Sequence, residues 1–186
     1  MVVGARTVTL VDREPLALHC SMSTADLCGL VTGPVPDASA EAKAFYADPS
    51  RLRDASERRS NSSEGIVSAT MMDWASSTLN DFEVDVVLAS EVLYGPNEAD
   101  PFAQTVAQLL RKGGTLLLSD PVAGRVKSAR AAVAEALRRK GAKVTEHPLE
   151  ASVAGNSWYS QQAAEGISLG SMPPEPTVLL RADFAK

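Results

Sequence analysis

The stretch DVVLASEVLY, Asp85 to Tyr94, decides how the rest of the chain is read. Its first half is an unbroken apolar run, Val86, Val87, Leu88 and Ala89, so a strand here is apolar on both of its alternating faces. Strands of that kind belong to parallel sheets covered by helices. The run stops at Glu91, and Tyr94 follows three residues later. Ligands of an open parallel sheet bind beyond the carboxyl ends of its strands. An acid and an aromatic residue at such an end are therefore candidate site residues. The plainer alternative is a strand-to-loop transition with an exposed acid and a packed tyrosine, since carboxylates usually stay at the surface.

Outward from this stretch the chain alternates between strand and helix patterns. TVTLVD (Thr7 to Asp12) reads as a strand. PLALHCSMSTADLCGL reads as a helix, with Pro15 in its first turn, Leu16, Cys20, Ser23, Leu27 and Leu30 at helical spacing, and Gly29 near its end. GIVSATMMDW is a further strand ending at Asp73 and Trp74. ADPFAQTVAQLLRKGG predicts a helix capped by Asp100, with Pro101 first inside it and Phe102, Val106, Leu109 and Leu110 as its apolar stripe. Arg111 and Lys112 would then meet the negative end of the helix dipole, and Gly113 would stop it. TLLLSD is a buried strand, with Asp120 before Pro121 read as turn chemistry. VKSARAAVAEALRRKGA predicts a helix with Ala129, Val133, Ala136 and Leu137 inward and Gly141 beyond its end. KVTEHPLE and TVLLRADF are strands with no helical pattern between them, as expected of an antiparallel pair at a sheet edge. The stretch joining them carries Trp158 and Tyr159 and is long for a connection.

Strands alternating with helices define a doubly wound α/β sheet, mostly parallel, here with a terminal antiparallel strand pair. The expected organisation is a single domain over residues 1–186 with an insertion at 31–65. That insertion holds Pro34, Pro36, many serines and RLRDASERRSNSSEG, with no apolar period. It reads as a solvated insertion or a functional loop whose arginines meet an acidic partner, with a short helix around Glu41 to Ala47.

The composition bounds the function. A hydrophobic fraction of 45% permits a real core, and the 5% aromatic share leaves Ala, Val and Leu to fill it. The net charge of −5 argues against a general nucleic-acid binder, whose footprint is basic. Cys20 and Cys28 lie about 12 Å apart if helical, too far for a disulfide. With no C-x-x-C pair and only His19 and His147, no metal site is expected. No apolar run approaches the ~20 residues of a membrane span. The N-terminus lacks the organisation of a secretory signal. The expectation is a cytoplasmic protein with free thiols, with an organelle or the nucleus left open.

Acids and aromatics stand at successive strand ends: Asp12, Asp73 with Trp74, Glu91 with Tyr94, and Asp120. A carboxylate at such an end can accept two hydrogen bonds from vicinal ribose hydroxyls, and an acid beside an aromatic ring can hold and stack on an adenine. Each has a plainer reading. Asp12 alone is a helix cap or turn residue, and Trp74 alone a core anchor.

Taken together, VTLVDREPLALHC, MMDW, DVVLASEVLY and LLRKGGTLLLSDP resemble the class I, seven-strand S-adenosylmethionine-dependent methyltransferases. The acid-x-x-aromatic element Glu91-Val92-Leu93-Tyr94 is most similar to that of the protein-lysine methyltransferases among them. The resemblance covers most of the chain outside residues 31–65 and the loop after Glu150. It implies a Rossmann-like methyltransferase fold with S-adenosylmethionine as cofactor, whose ribose Asp12 would hold with Arg13 alongside. Asp73 and Trp74 would border the adenine, Ala89 would flank the methionine moiety, and Glu91 and Tyr94 would line the channel of the acceptor amine. The partner implied is a protein substrate with an accessible lysine.

One feature departs from the resemblance. The family opens with a strand and a G-x-G-x-G loop around the methionine end of the cofactor, and MVVGAR looks like the tail of the helix after that loop. The expected fold is therefore N-terminally incomplete, and a non-catalytic binding module stands beside the enzyme readings. A small-molecule methyltransferase is a third reading. A nicotinamide-dependent oxidoreductase is a distant fourth, because Asp12 suits it and the terminal strand pair does not. The helix near Thr24 and Cys28 also lacks the asparagines that relatives often carry there.

Overall fold

Parallel strands need crossover connections and antiparallel ones do not, and both kinds occur here. The computed structural model describes residues 5–33, 35, 41–48, 65–75, 83–121, 128–149 and 177–185. They fall into two compact units, Met1–Asp73 and Trp74–Lys186.

The first unit contains β1 (Thr7–Asp12), α1 (Pro15–Leu27), β2 (Val31–Thr32), α2 (Ala42–Tyr46) and β3 (Ile66–Met71). β3 lies between β1 and β2 and runs parallel to both, with Leu10 beside Ala69 and Thr32 beside Val67. Its centre carries small polar residues that pair across strands, as Thr9 does with Ser68 at 3.2 Å. Leu18 and Met22 of α1, Ala42 and Tyr46 of α2 and Val67 of β3 form the core. α1 ends where Gly29 takes a φ of 73° and Leu30 donates its N–H to the Ala25 carbonyl at 3.1 Å, a glycine-terminated cap.

Two expectations fail in this unit. The buried positions of α1 are Leu18 and Met22, whereas Leu16, Leu27 and Leu30 are exposed. Apolar residues occur all round PLALHCSM, so periodicity could not choose the inward face. Residues 31–65 are also not simply a solvated insertion. β2 joins the sheet and α2, inside the anticipated 41–47 stretch, buries Ala42 and Tyr46. The RLRDASERRSNSSE segment lies outside the described residues.

The second unit contains β4 (Val84–Ser90), a single 3-10 turn (Pro96–Glu98), α3 (Ala99–Leu109), β5 (Leu110–Pro121), α4 (Ala129–Arg139), β6 (Ala142–Leu149) and β7 (Thr177–Phe184). The strand order is β4-β5-β7-β6. β4 and β5 are parallel, and β7 is antiparallel to both β5 and β6. The antiparallel pair is as expected, with β7 inside the sheet and β6 at its edge. Leu116 and Leu118 of β5, Leu180 and Ala182 of β7, Phe102 and Val106 of α3, and Val133 and Leu137 of α4 build the core on one face of this sheet. The inward residues expected for α4 are all buried, and Gly141 beyond it has a φ of 89°.

Other expectations change here. β4 is not covered on both faces: Val86 is 50% and Leu88 75% exposed. α3 begins at Ala99, one residue before Asp100, because the 3-10 turn from Pro96 leads straight into it. Its end also differs. Leu110, Arg111 and Lys112 belong to β5, and Gly113 with a φ of 81° sits in a strand irregularity. Val84 pairs with Leu110 but Val86 with Thr115, so residues 111–114 bulge out of the ladder. A β-carbon at Gly114 would lie 2.9 Å from the Arg111 carbonyl oxygen and 3.1 Å from that of Asp85. Only glycine lets the strands approach here. Asp120 is likewise no turn residue: it lies within β5, paired beside Val178, and is 4% exposed.

Candidate functional site

The carboxyl ends of β4 and β5 end alike, Ala-Ser-Glu at 89–91 and Leu-Ser-Asp at 118–120, and Ser90 lies beside Ser119 in register. Ser119 Oγ donates to Ser90 Oγ at 2.9 Å. Two hydroxyls thereby meet at one edge, each followed in sequence by an acid, Glu91 or Asp120. A depression of about 230 Å³ is lined by Ser90, Glu91, Ser119, Asp120, Pro121, Leu149 and Thr177. A shallower apolar one of about 320 Å³ adjoins it through the same two serines and includes Leu88, Ala89, Leu117 and Leu179. Small-ligand sites usually span ~300–1,000 Å³. The smaller depression fits a side chain or a fragment of a ligand.

Glu91 has a φ of 51°, the one non-glycine residue at positive φ among those described. A left-handed residue with a β-carbon costs about 1–2 kcal/mol. The Glu91 N–H donates to the Ser119 carbonyl at 3.0 Å, which holds the turn in place. Backbone strain of this kind gathers at functional positions because packing elsewhere must hold it.

Asp120 is paired with Arg130 at 3.3 Å, in a setting where its side chain is 6% exposed. The same guanidinium donates to the Pro121 carbonyl at 3.0 Å and lies 3.7 Å from Glu146. α4 thus contributes one arginine that ties the end of β5 to β6.

The remaining sequence-derived residues are placed as follows. In the first unit, Asp12 ends β1 and its carboxylate accepts the Glu14 N–H at 2.9 Å, the local turn geometry of a strand-to-helix junction. Arg13 follows it, exposed, 3.9 Å from Glu14. Asp73 closes this unit. In the second unit, Trp74 packs edge-on against Phe102, ring centres 4.9 Å apart, and its carbonyl accepts the Thr105 hydroxyl at 3.4 Å. Ala89 and Glu91 line the adjoining depressions. Tyr94 is 58% exposed on the following loop, its N–H donating to Glu98 at 3.2 Å, and it lines neither depression. Sequence reasoning missed Ser90, Ser119 and Arg130. The repeated Ser-acid pair at two strand ends was the available signal for the serines. Nothing local marked Arg130.

No protein-family profile and no curated protein matches the sequence. Solved structures do match its fold. An S-adenosylmethionine-dependent methyltransferase from Methanosarcina mazei aligns over 96% of this chain and 82% of its own, at 10% identity and a TM-score of 0.52. The [4+2]-cyclase SpnF aligns over 99% of this chain and 76% of its own, at 16% identity and a TM-score of 0.50. The chain has the α/β fold of the Rossmann-like methyltransferases, with parallel and antiparallel strands. One of these two similar structures is named for a cyclisation, so the reaction has to be argued from the site.

Proposed function

We propose that the chain transfers a methyl group from S-adenosylmethionine to an amine, the acceptor being a lysine side chain of a protein. The observation that carries this reading is Glu91: an acid held in a strained backbone at the carboxyl end of a parallel strand, lining a depression beside two serine hydroxyls. Methyltransferase likeness of the fold supports the donor. The acceptors suit a cationic or hydroxylated guest, since the Glu91 carboxylate and the serine hydroxyls accept its N–H and O–H bonds.

The cofactor supplies an activated methyl group open to in-line displacement. The chain supplies position. Glu91 accepts N–H bonds from the arriving amine and turns its lone pair toward the donor, and the Ser90–Ser119 pair offers further acceptors. A lysine amine must be neutral to react, and at its ordinary pKa about one in a few thousand is so at pH 7. Desolvation and a neighbouring positive charge both favour the neutral form. Glu91 thus acts as an orienting group. In this reading Ala89, which lines the adjoining depression, flanks the methionine moiety.

Calorimetric titration with S-adenosylmethionine tests the donor: heat of binding is expected, and none at high cofactor concentration leaves the non-catalytic binding module. Labelled cofactor incubated with lysate tests the acceptor: label is expected in protein, and label confined to small molecules overturns the lysine assignment. Glu91→Ala is expected to lower turnover about 100-fold, the scale of a lost orienting contact. Cofactor affinity should stay nearly unchanged. Equal losses of both would remove the orienting role.

A further inference from the structure

Arg130 stands where its charge is least favoured. It is the second residue of α4, beside the positive end of the helix dipole, where a cation is disfavoured. Arg138 and Arg139, in the last turn, suit the opposite end. The Arg130 side chain is also only 20% exposed, against 52% for that of Arg139. Three acceptors hold it there. Its guanidinium lies 3.3 Å from the Asp120 carboxylate, donates to the Pro121 carbonyl at 3.0 Å and lies 3.7 Å from Glu146. The carbonyl contact has the sharper consequence. The β4–β5 pairing ends at Ser90 and Ser119. Carbonyls two residues apart on a strand point to the same side. That of Ser119 takes the Glu91 N–H, so that of Pro121 faces the same side just past the end of β4, with Arg130 where a further strand would be. Proline brings no N–H of its own, so this strand end gains little from its own backbone.

We propose that Arg130 is a positioning residue for Glu91: it fixes the end of β5, so that the Ser119 carbonyl holds the Glu91 N–H and keeps this residue left-handed. The catalytic half of this role rests on the methyl-transfer reading of the site. A φ of 51° persists at a residue with a β-carbon only while its surroundings enforce it. β7 anchors the end of β5 on one side, with Asp120 beside Val178 and Pro121 beside Thr177. Arg130 anchors it on the other, beyond Ser119. A planar guanidinium fork meets a carbonyl and two carboxylates in a fixed geometry, which a lysine ammonium does not reproduce. Release of the fork frees the strand end, weakens the bond between Ser119 and Glu91 and lets Glu91 relax toward ordinary backbone. Its carboxylate then leaves its place in the depression, which Asp120 and Pro121 line as well.

Amide-proton shifts of the full chain, followed by NMR against temperature, test the backbone half without any reaction. In the wild type the Glu91 amide should show the small temperature coefficient of a bonded N–H. In Arg130→Met it should show the large coefficient of a solvent-exposed one, with the β5–β7 ladder unchanged. Loss of stability alone changes the unfolded fraction and not the shifts of the folded state. A wild-type coefficient at Glu91, or a change shared by the whole ladder, overturns the proposal. Should Arg130→Met fail to fold, Arg130→Lys carries the same test, since it keeps a cation beside Asp120 and lacks the fork. Turnover tests the catalytic half. Arg130→Met should lower methyl transfer about 10-fold with cofactor affinity kept. In a Glu91→Ala background it should add no further loss, because it acts through Glu91. Additive losses would overturn the positioning role. A chain that transfers no methyl group ends the methyltransferase reading, and the amide measurement still decides what Arg130 does.

Discussion

At the scale of single residues, Glu91 is where stability and chemistry oppose each other. A glycine would take a φ of 51° without the steric cost that a β-carbon imposes. Glu91→Gly should therefore stabilise the second unit by about 1 kcal/mol once glycine's greater unfolded-state entropy is subtracted. Thermal unfolding should show a raised midpoint together with lost methyl transfer. A lowered midpoint would mean that the carboxylate, more than the backbone, holds this turn. DVVLASEVLY showed that an acid closes the strand, but not its backbone strain. Positive φ is forced by the neighbouring strand, whose Ser119 carbonyl takes the Glu91 N–H.

At the scale of elements, the joints decide more than the segments do. Arg130 links α4 to the end of β5 through Asp120 and the Pro121 carbonyl, and to β6 through Glu146. Removing one member of a largely buried ion pair leaves the other charge poorly solvated. Arg130→Met should destabilise by about 3 kcal/mol, measured by denaturant unfolding. A loss within the few tenths typical of surface changes would show that water replaces the guanidinium. The elements themselves were largely legible: α4 announced its inward face, and β6 and β7 their antiparallel character. The joints were not. RKGG carries both the helix-end signal of basic residues before glycine and the residues a strand bulge needs, and the ladder with β4 selects the second. The burial of β4 was misjudged for a related reason. An apolar run reports what a strand could bury, while its neighbours determine what it does bury.

At the scale of the whole molecule, one acid-sensitive carboxylate combines a partner on its own strand with a contact to a strand distant in sequence. Asp183 on β7 accepts the Thr115 hydroxyl of β5 at 2.7 Å and pairs with Arg181 at 2.8 Å. Its hydrogen bond from Arg181, then that from Thr115, hold its carboxyl below the ordinary carboxylate value. A group whose pKa is lowered on folding stabilises the fold above its unfolded pKa. That contribution is lost as pH falls through the ordinary carboxylate range to the lowered value. Asp183→Asn should flatten this part of the stability-pH curve while leaving its shape near neutrality intact. An unchanged acid limb would assign the dependence to other carboxylates. The α/β class was readable from strand–helix alternation, but the division of the seven described strands between two sheets was not. Which strands pair is settled by hydrogen bonds between segments, such as β1 with β3, that local patterning does not record.

The position of β7 also governs when the second sheet can form. Among the described residues β6 bonds only to β7, and β7 separates it from β5. During synthesis β4, β5 and β6 all emerge before the strand that joins them. The latter half of the sheet therefore forms by a late, long-range insertion, the kind of step that slows folding. Until it happens, β5 has one bare edge and β6 has two, so a nascent chain paused before residue 177 would be a good client for chaperones that shield unpaired strands.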